Sequence, residues 1–327
     1  MTTHATPAPP ALPLRPLGAT GLTVSPLCIG CAQFGDMRDT YYPVAEDRAL
    51  ATIRAIFDGP VNFADTAAAY GDGESERRIG MVLRERGGLP EGFVLATKAD
   101  RDLQTGDFSG DQIRRSIERS LRLLGLDQLQ LVYLHDPEHI MFEEATAPGG
   151  PVDALRRCKE EGLIAHLGVA GGPIDLEQRF VETGAFEVVL SHNRYTLLNV
   201  AADPLWDLAS RRGVAAVNAA PYGSGILAKG PAAYPRYAYQ DVSSALLERA
   251  RRIEDLCAFH DVPLAAAALQ FSLRDPRIVS TVVGLTHPER LAETVDLALF
   301  PIPDGLWEDL MTVAPATDDP EATRWSH

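Results

Sequence analysis

The sequence predicts a single α/β domain, a (β/α)8 barrel of the TIM type, and three observations carry that expectation. Short apolar runs rich in β-branched residues alternate with longer segments of helical periodicity, which is the pattern of a parallel sheet. The runs number eight, at 26–30, 61–65, 93–98, 129–135, 165–169, 188–191, 214–219 and 278–284. Ionisable residues stand at the ends of successive runs, where barrels of this kind carry their sites. Alternation alone does not establish closure, so a doubly wound open sheet is the competing arrangement.

In chain order, residues 1–13 mix Thr, Ala and Pro, without the basic start or continuous apolar run of a secretory signal, and are expected to be a flexible tail. Gly18-Ala19-Thr20-Gly21 lies within 15–23 and signals a hairpin that would plug the base of the barrel. The spacing of Leu50, Ile53 and Phe57 predicts a helix over 46–57, and Ile113, Ile117, Leu121 and Leu124 predict one over 111–124. Further helices are expected at 74–86, 151–161, 175–183, 203–212, 246–260 and 287–297, with additional ones at 263–273 and 304–313. Gly162 and Gly213, each just past a charged helical end, read as C-caps. No linker divides the chain; 14–314 forms the barrel domain and 315–327 a polar C-terminal tail.

With 46% apolar and 23% charged residues, the chain of 327 can bury a substantial core. Thirty basic against 45 acidic residues leave a formal charge of −15, which argues against nucleic acid or anionic lipid as a partner. No run approaches the roughly 20 apolar residues that cross a bilayer. The expected location is the cytoplasm, and the expected partner a small molecule, a sugar or another carbonyl compound; nothing in the sequence sets the oligomeric state. Four cysteines are too few and too irregular for a disulfide framework. Cys28-Ile29-Gly30-Cys31 has the spacing of a redox or zinc motif but lies in a strand-like run, so a structural role is expected.

The chemistry gathers at the strand ends. Asp65 ends the second run, Tyr70 follows in the next loop, Lys98 ends the third and His135 the fourth. Each alone has an ordinary explanation as cap, packing or surface residue. Together they suit carbonyl reduction or its reverse, because hydride arriving at carbon requires a proton at oxygen. A phenol titrates near 10, and a neighbouring ammonium stabilises its phenolate. Lys98 would supply that charge, Asp65 would hold Lys98, and His135 would polarise the substrate oxygen.

Asp65-Thr66-Ala67-Ala68-Ala69-Tyr70-Gly71, Ala96-Thr97-Lys98 and Tyr133-Leu134-His135-Asp136 resemble, in order and spacing, the signature segments of the aldo-keto reductases. The resemblance covers nearly the whole chain. It implies Tyr70 as acid–base residue, Lys98 and Asp65 tuning it, and His135 orienting substrate. It also implies NAD or NADP lying across the barrel mouth without a Rossmann domain; Gly71-Asp72-Gly73-Glu74-Ser75-Glu76 indeed misses the final glycine of a dinucleotide fingerprint. By the same resemblance, Tyr222, Ser224, Gly225 and Leu227 form the pyrophosphate loop, and Gly284, Thr286, Arg290, Glu293 and Thr294 hold the adenosine end. Cys31 and Ala32 join the cofactor site, while Gln33 and Phe34 join Tyr70 and His135 around the substrate. No metal is expected.

The chain also departs from the family pattern. Ala170-Gly171 stands where a Ser-Asn pair commonly holds the carboxamide, His192 where a Gln is usual, and Ala219 where a Tyr stacks on nicotinamide. Ser191, His192 and Asn193 are therefore assigned to altered nicotinamide contacts. Gly284-Leu285 replaces the Lys-Ser of many NADP-preferring members, which leans the preference to NAD. The segments 193–198 and 135–150 resemble the aldose 1-dehydrogenase branch, which includes fucose and related sugar dehydrogenases and pyridoxal dehydrogenase-like members, and this implies oxidation of a hemiacetal to a lactone. Two rivals are a metal-dependent hydrolase using His135-Asp136-Pro137-Glu138-His139 and a cofactor-binding regulatory subunit with little turnover. Substrate choice would rest on loops around Gln33, Phe34, Asp36, Tyr41, 138–148 and 234–239.

Overall fold

The eight apolar runs pair side by side, all parallel, and the last closes on the first. The structure, a computed structural model, describes residues 12–37 and 43–322; Tyr41, the tail through residue 11 and the end from 323 lie outside that range. A hairpin of β1 (Arg15–Pro16) and β2 (Thr23–Val24) precedes β3 (Leu27–Gly30), α1 (Glu46–Phe57), β4 (Phe63–Asp65) and α2 (Glu74–Arg86). Next come β5 (Val94–Ala99), α3 (Gly110–Leu124), β6 (Leu129–His135), α4 (Phe142–Thr146), α5 (Pro151–Glu160), β7 (Ile164–Gly171) and α6 (Ile174–Glu182). The chain continues through β8 (Val188–His192), α7 (Asp203–Arg212), β9 (Ala215–Ala219), α8 (Ile226–Lys229) and the short hairpin β10 (Arg236–Tyr237) and β11 (Gln240–Asp241). It ends in α9 (Ser244–Phe259), α10 (Leu264–Leu273), β12 (Ile278–Gly284), α11 (Glu289–Leu299) and α12 (Asp304–Leu310). The barrel runs β12-β3-β4-β5-β6-β7-β8-β9 and back to β12, which excludes the open sheet.

Helix ends follow local chemistry. The Ser109 hydroxyl accepts from the Gln112 amide at the start of α3, and Gly125 turns left-handed at its end. Gly213 ends α7 in the same left-handed conformation, and Gly162 follows α5 at φ 81°. Along α3, Ile113, Ile117 and Leu124 are buried against the barrel while its arginines face outward. The short α4 and the β10–β11 hairpin lie in segments that the apolar pattern leaves as loops.

Two of the apolar clusters among the described residues build the barrel. Outward strand residues and the inner helix faces form the larger one, including Ile53, Val82, Ile117, Val132 and Trp206. Inside the barrel, Phe63, Val94, Leu131, Val188 and Val217 pack together, and Leu17 and Val24 of the hairpin join them, closing the base. Tyr133 fills this interior because Gly168 beside it has no side chain; a Cβ there would lie 2.4 Å from the ring.

The four cysteines are free and buried. Burial, aided by Asp65, raises the thiols of both Cys28 and Cys31 well above their ordinary value, which opposes thiolate chemistry there. Among the described residues no single helix is long and apolar enough to cross a membrane; α9 and α10 reach that content only as a pair bent by 101°.

Candidate active site

The carboxyl ends of β4, β5 and β6 bring three ionisable side chains to one mouth, and the loop after β4 adds the fourth. Lys98 Nζ donates to Asp65 Oδ1 at 2.5 Å, to the Thr66 carbonyl at 2.8 Å and to the Tyr70 hydroxyl at 3.0 Å. Lys98 and Asp65 are nearly inaccessible to solvent, whereas Tyr70 and His135 are half-buried and face the opening. The His135 ring stands edge-on to Tyr70, centroids 5.9 Å apart. Burial raises the Asp65 carboxyl above its ordinary range, and the Lys98 ammonium works against that rise.

The Tyr70 loop is fixed by its backbone. The Ala68 N–H donates to the Lys98 carbonyl at 3.2 Å, and the Ala69 N–H donates to Asp100 Oδ2 at 2.8 Å. Gly71 follows at φ 63°, and a Cβ there would fall 1.7 Å from the Gly35 carbonyl oxygen, so only glycine lets the loop cross so close to 32–35. The Ser75 hydroxyl, in the first turn of α2, donates to the Cys31 carbonyl and ties that crossing to the end of β3.

His135 is held more tightly than its sequence position suggests. Its Nδ1 lies 2.5 Å from Asp100 Oδ1, and its Nε2 lies 3.4 Å from Asp136 Oδ1. Burial opposes its charge, but the carboxylates of Asp100 and Asp136 outweigh burial and raise its pKa above the ordinary value. Neither partner is among the residues expected at the site. Asp100 lies two residues past Lys98 and could have been found by the same search of strand ends; both carboxylates follow a strand that already supplies a candidate.

A second acidic group lies near His135. Glu138 is pushed up to about 7 by burial and by Asp136, and neither of its carboxyl oxygens bonds to another residue. Glu177 accepts the Gly171 amide at 2.9 Å, and burial raises its pKa well above normal. Ser191 is buried at the end of β8, and His192 beside it is part-exposed with its Nε2 3.3 Å from Glu321. Asn193 is fully buried; its amide is committed to Glu321 at 3.4 Å, and its carbonyl oxygen accepts from Ser224 at 3.4 Å.

Glu321 belongs to the segment expected to be a polar tail, and through this residue that segment is instead built into the site. The Ala316 amide donates to the Leu198 carbonyl, Val200 donates to the Ala316 carbonyl, and Arg194 pairs with Glu321 at 2.9 Å and Asp319 at 2.7 Å. Both Arg194 and Glu321 are fully buried.

Behind the tetrad, the Thr97 hydroxyl donates to Glu76 at 2.6 Å, and burial pushes that carboxyl up to about 7. An acid with a raised folded pKa binds a proton that the unfolded chain has already lost. Stability should therefore fall as pH rises from the ordinary 4.5 to about 7, by at most about 3 kcal/mol, and the cost should be absent below 4.5. Glu76→Gln, which keeps an acceptor for Thr97, is expected to reduce this slope; urea denaturation between pH 4 and 8 checks it, and an unchanged slope would place the titration elsewhere.

The expected cofactor residues occupy the rest of the rim. Gly223, Ser224 and Gly225 all have positive φ, and a Cβ on Gly223 would strike the Tyr237 ring at 2.3 Å. The Gly225 and Leu227 amides close on the Tyr222 carbonyl, so those donors hold the turn itself. Across β12, Gly284 lies exposed under the Gln33 amide, Thr286 bonds the His287 ring, Thr294 is buried with its hydroxyl on the Arg290 carbonyl, and Arg290 pairs with Glu293 at 2.9 Å. Gln33, expected beside the substrate, thus packs against the adenosine-end segment. Phe34, Cys31 and Ala32 are buried.

A closed parallel barrel with a Lys–Asp pair under an accessible tyrosine defines a class of oxidoreductase, and this chain belongs to the Aldo/keto reductase family, whose model matches residues 26–314. It is an NAD(P)-dependent oxidoreductase. It is 33% identical over 318 residues to D-threo-aldose 1-dehydrogenase of a Pseudomonas species, covering 89% of this chain and 94% of that protein. It is 31% identical to pyridoxal 4-dehydrogenase of Microbacterium luteolum (90% and 96% covered) and to L-galactose dehydrogenase of Arabidopsis thaliana (87% of each). Its fold matches that of an aldo-keto reductase from Bacillus halodurans in the holo form with a TM-score of 0.76 at 21% identity, covering 93% of this chain and 97% of that one.

The residues present fit a dinucleotide. Residues 223–225 form a left-handed turn just past the end of β9, the kind of backbone from which anion-binding loops are built. Next to His135, the unpartnered oxygens of Glu138 mark the mouth as a place for hydrogen-bond donors from a ligand.

Proposed function

We propose that this chain oxidises a free aldose at its anomeric carbon to the lactone, with NAD⁺ as the preferred acceptor. The observation that carries the reading is the Tyr70 hydroxyl, half-exposed at the mouth with the Lys98 ammonium 3.0 Å behind it. That ammonium favours the phenolate, which takes the proton of the anomeric hydroxyl as the carbonyl of the lactone forms. Bound NAD(P)⁺ supplies the hydride acceptor. Asp65 keeps Lys98 in place, and His135 orients the reacting oxygen. Asp136, 3.4 Å from the His135 ring, places a carboxylate beside the reacting oxygen, a setting suited to an uncharged polyol rather than an anionic substrate. Two of the relatives named above are aldose dehydrogenases, which supports the same substrate class.

The preference for NAD⁺ is supported at the rim. No lysine stands at Gly284, and Arg290 already pairs with Glu293, so a 2′-phosphate would compete with a carboxylate for its nearest guanidinium.

The test follows reduced nicotinamide by its absorbance, with NAD⁺ and NADP⁺ separately against L-fucose, D-threo-aldoses, L-galactose and pyridoxal. Sugar-dependent reduction that is faster with NAD⁺ is the expected result. Turnover only of carbonyl compounds with NADPH would replace this reading by that of an aldehyde or ketone reductase, and tight cofactor binding without turnover would replace it by that of a regulatory subunit.

A further inference from the structure

Asp100 touches both proton-handling side chains, or their supports, at once. Its Oδ1 lies 2.5 Å from His135 Nδ1, and its Oδ2 accepts the backbone N–H of Ala69, the residue before Tyr70, at 2.8 Å. Its own amide donates to the Ser116 hydroxyl at 3.1 Å, and the Gln112 side chain donates to its carbonyl at 3.3 Å, so α3 holds it from behind. The residue is buried. A buried carboxylate with one oxygen on a ring nitrogen and the other on a loop amide is rigid in both directions.

We infer that Asp100 is a positioning residue that fixes the orientation and charge of His135 and, through Ala69, the placement of Tyr70. The inference rests on the assignment of Tyr70 and His135 to the reaction. Its logic is one of donors. An ionised carboxylate accepts only, so the proton on Nδ1 is committed to Asp100. A neutral imidazole in that tautomer presents a bare lone pair at Nε2. Only the imidazolium offers an Nε2–H to a substrate oxygen, so a residue that fixes the Nδ1 proton must also favour the charged ring if His135 is to donate. The groups facing the ring agree in sign on balance. Asp100 and Lys98 come from the end of β5, Asp65 from the end of β4, Asp136 and Glu138 from the segment after β6, and Tyr70 from the loop after β4. Arg101 and His139 act on Asp136. Of the carboxylates, Asp100 makes the shorter contact with the imidazole. Asp136 lies on the Nε2 side, 3.4 Å away, where a substrate hydroxyl would insert between the two.

The experiment reads imidazole titration by long-range ¹H–¹⁵N NMR of the whole protein, with the His135 signals assigned by their loss in His135→Gln, together with amide exchange at Ala69. In the wild type, His135 should titrate above the ordinary value of about 6.5 with Nδ1 protonated throughout. Asp100→Asn keeps an acceptor for the Ala69 N–H but removes the charge; the His135 midpoint should fall by about 1–3 units while Ala69 stays protected. The acidic-to-neutral limb of the kcat/KM profile should move with it. Asp100→Ala loses both contacts, so Ala69 should also exchange faster.

A His135 midpoint unchanged in Asp100→Asn overturns the charge-holding role, and wild-type exchange of Ala69 in Asp100→Ala overturns the pinning of the loop. Should neither variant fold, a wild-type midpoint at or below about 6.5 overturns the inference by itself. The spectra need no substrate, so they fail separately from the proposed function: loss of the aldose assay would leave the His135 titration standing.

Discussion

Tyr70→Phe is expected to retain the fold and cofactor affinity while losing at least about 10²-fold in turnover, the scale of general acid–base catalysis. The substitution removes one oxygen. Lys98 Nζ, at 3.0 Å, donates to that oxygen, and Lys98 keeps its bonds to Asp65 and the Thr66 carbonyl when it is gone. The aromatic ring that stands 4.6 Å from the Lys98 ammonium and edge-on to His135 remains. A loss of rate therefore reports the proton and not the packing. Steady-state rates beside cofactor titration by fluorescence separate the two, and near-wild-type turnover would remove Tyr70 from the mechanism.

Arg194→Met should cost about 3–5 kcal/mol of stability, the penalty for leaving a buried carboxylate without its partner. The guanidinium is fully buried between Glu321, itself fully buried, and Asp319, and it also donates to the His192 carbonyl at 3.1 Å. Methionine has comparable bulk and no charge. Glu321 would then keep the Asn193 amide and His192, both at longer range, and 316–321 should loosen from the barrel mouth. Urea denaturation measures the first effect and amide exchange over 316–321 the second. If the charge on Glu321 is the cause, adding Glu321→Gln should recover part of the loss, whereas a loss below about 1 kcal/mol in the single variant would show that the pair adds little.

The two substitutions sample different kinds of information in the chain. The barrel strands, the outer helices and the tetrad were legible because each is written locally. A strand declares itself by four to eight apolar residues, a helix by its period, and Asp65, Lys98 and His135 by standing where such runs stop. The order of the signature segments then carried the family. Most boundaries moved by one or two residues, as at Pro288, which caps α11 so that the helix begins at Glu289, and α12 ends at Leu310, three residues short of the expected end.

What the sequence by itself determined is thus the architecture and the four residues gathered at its mouth, because alternation and strand ends are properties of neighbours along the chain. Tertiary structure alone decided which groups surround them. Asp100 meets His135 across 35 positions, a partner the strand-end search could place at the mouth but not on His135, and Glu321 meets Arg194 across 127 with no local pattern to announce it. Closing the barrel sets β5 beside β6 and returns the C-terminal segment to the end of β8. Burial there makes an unpaired charge costly enough that partners distant in sequence are held together, and those partners set the charge of His135 and the shape of the opening.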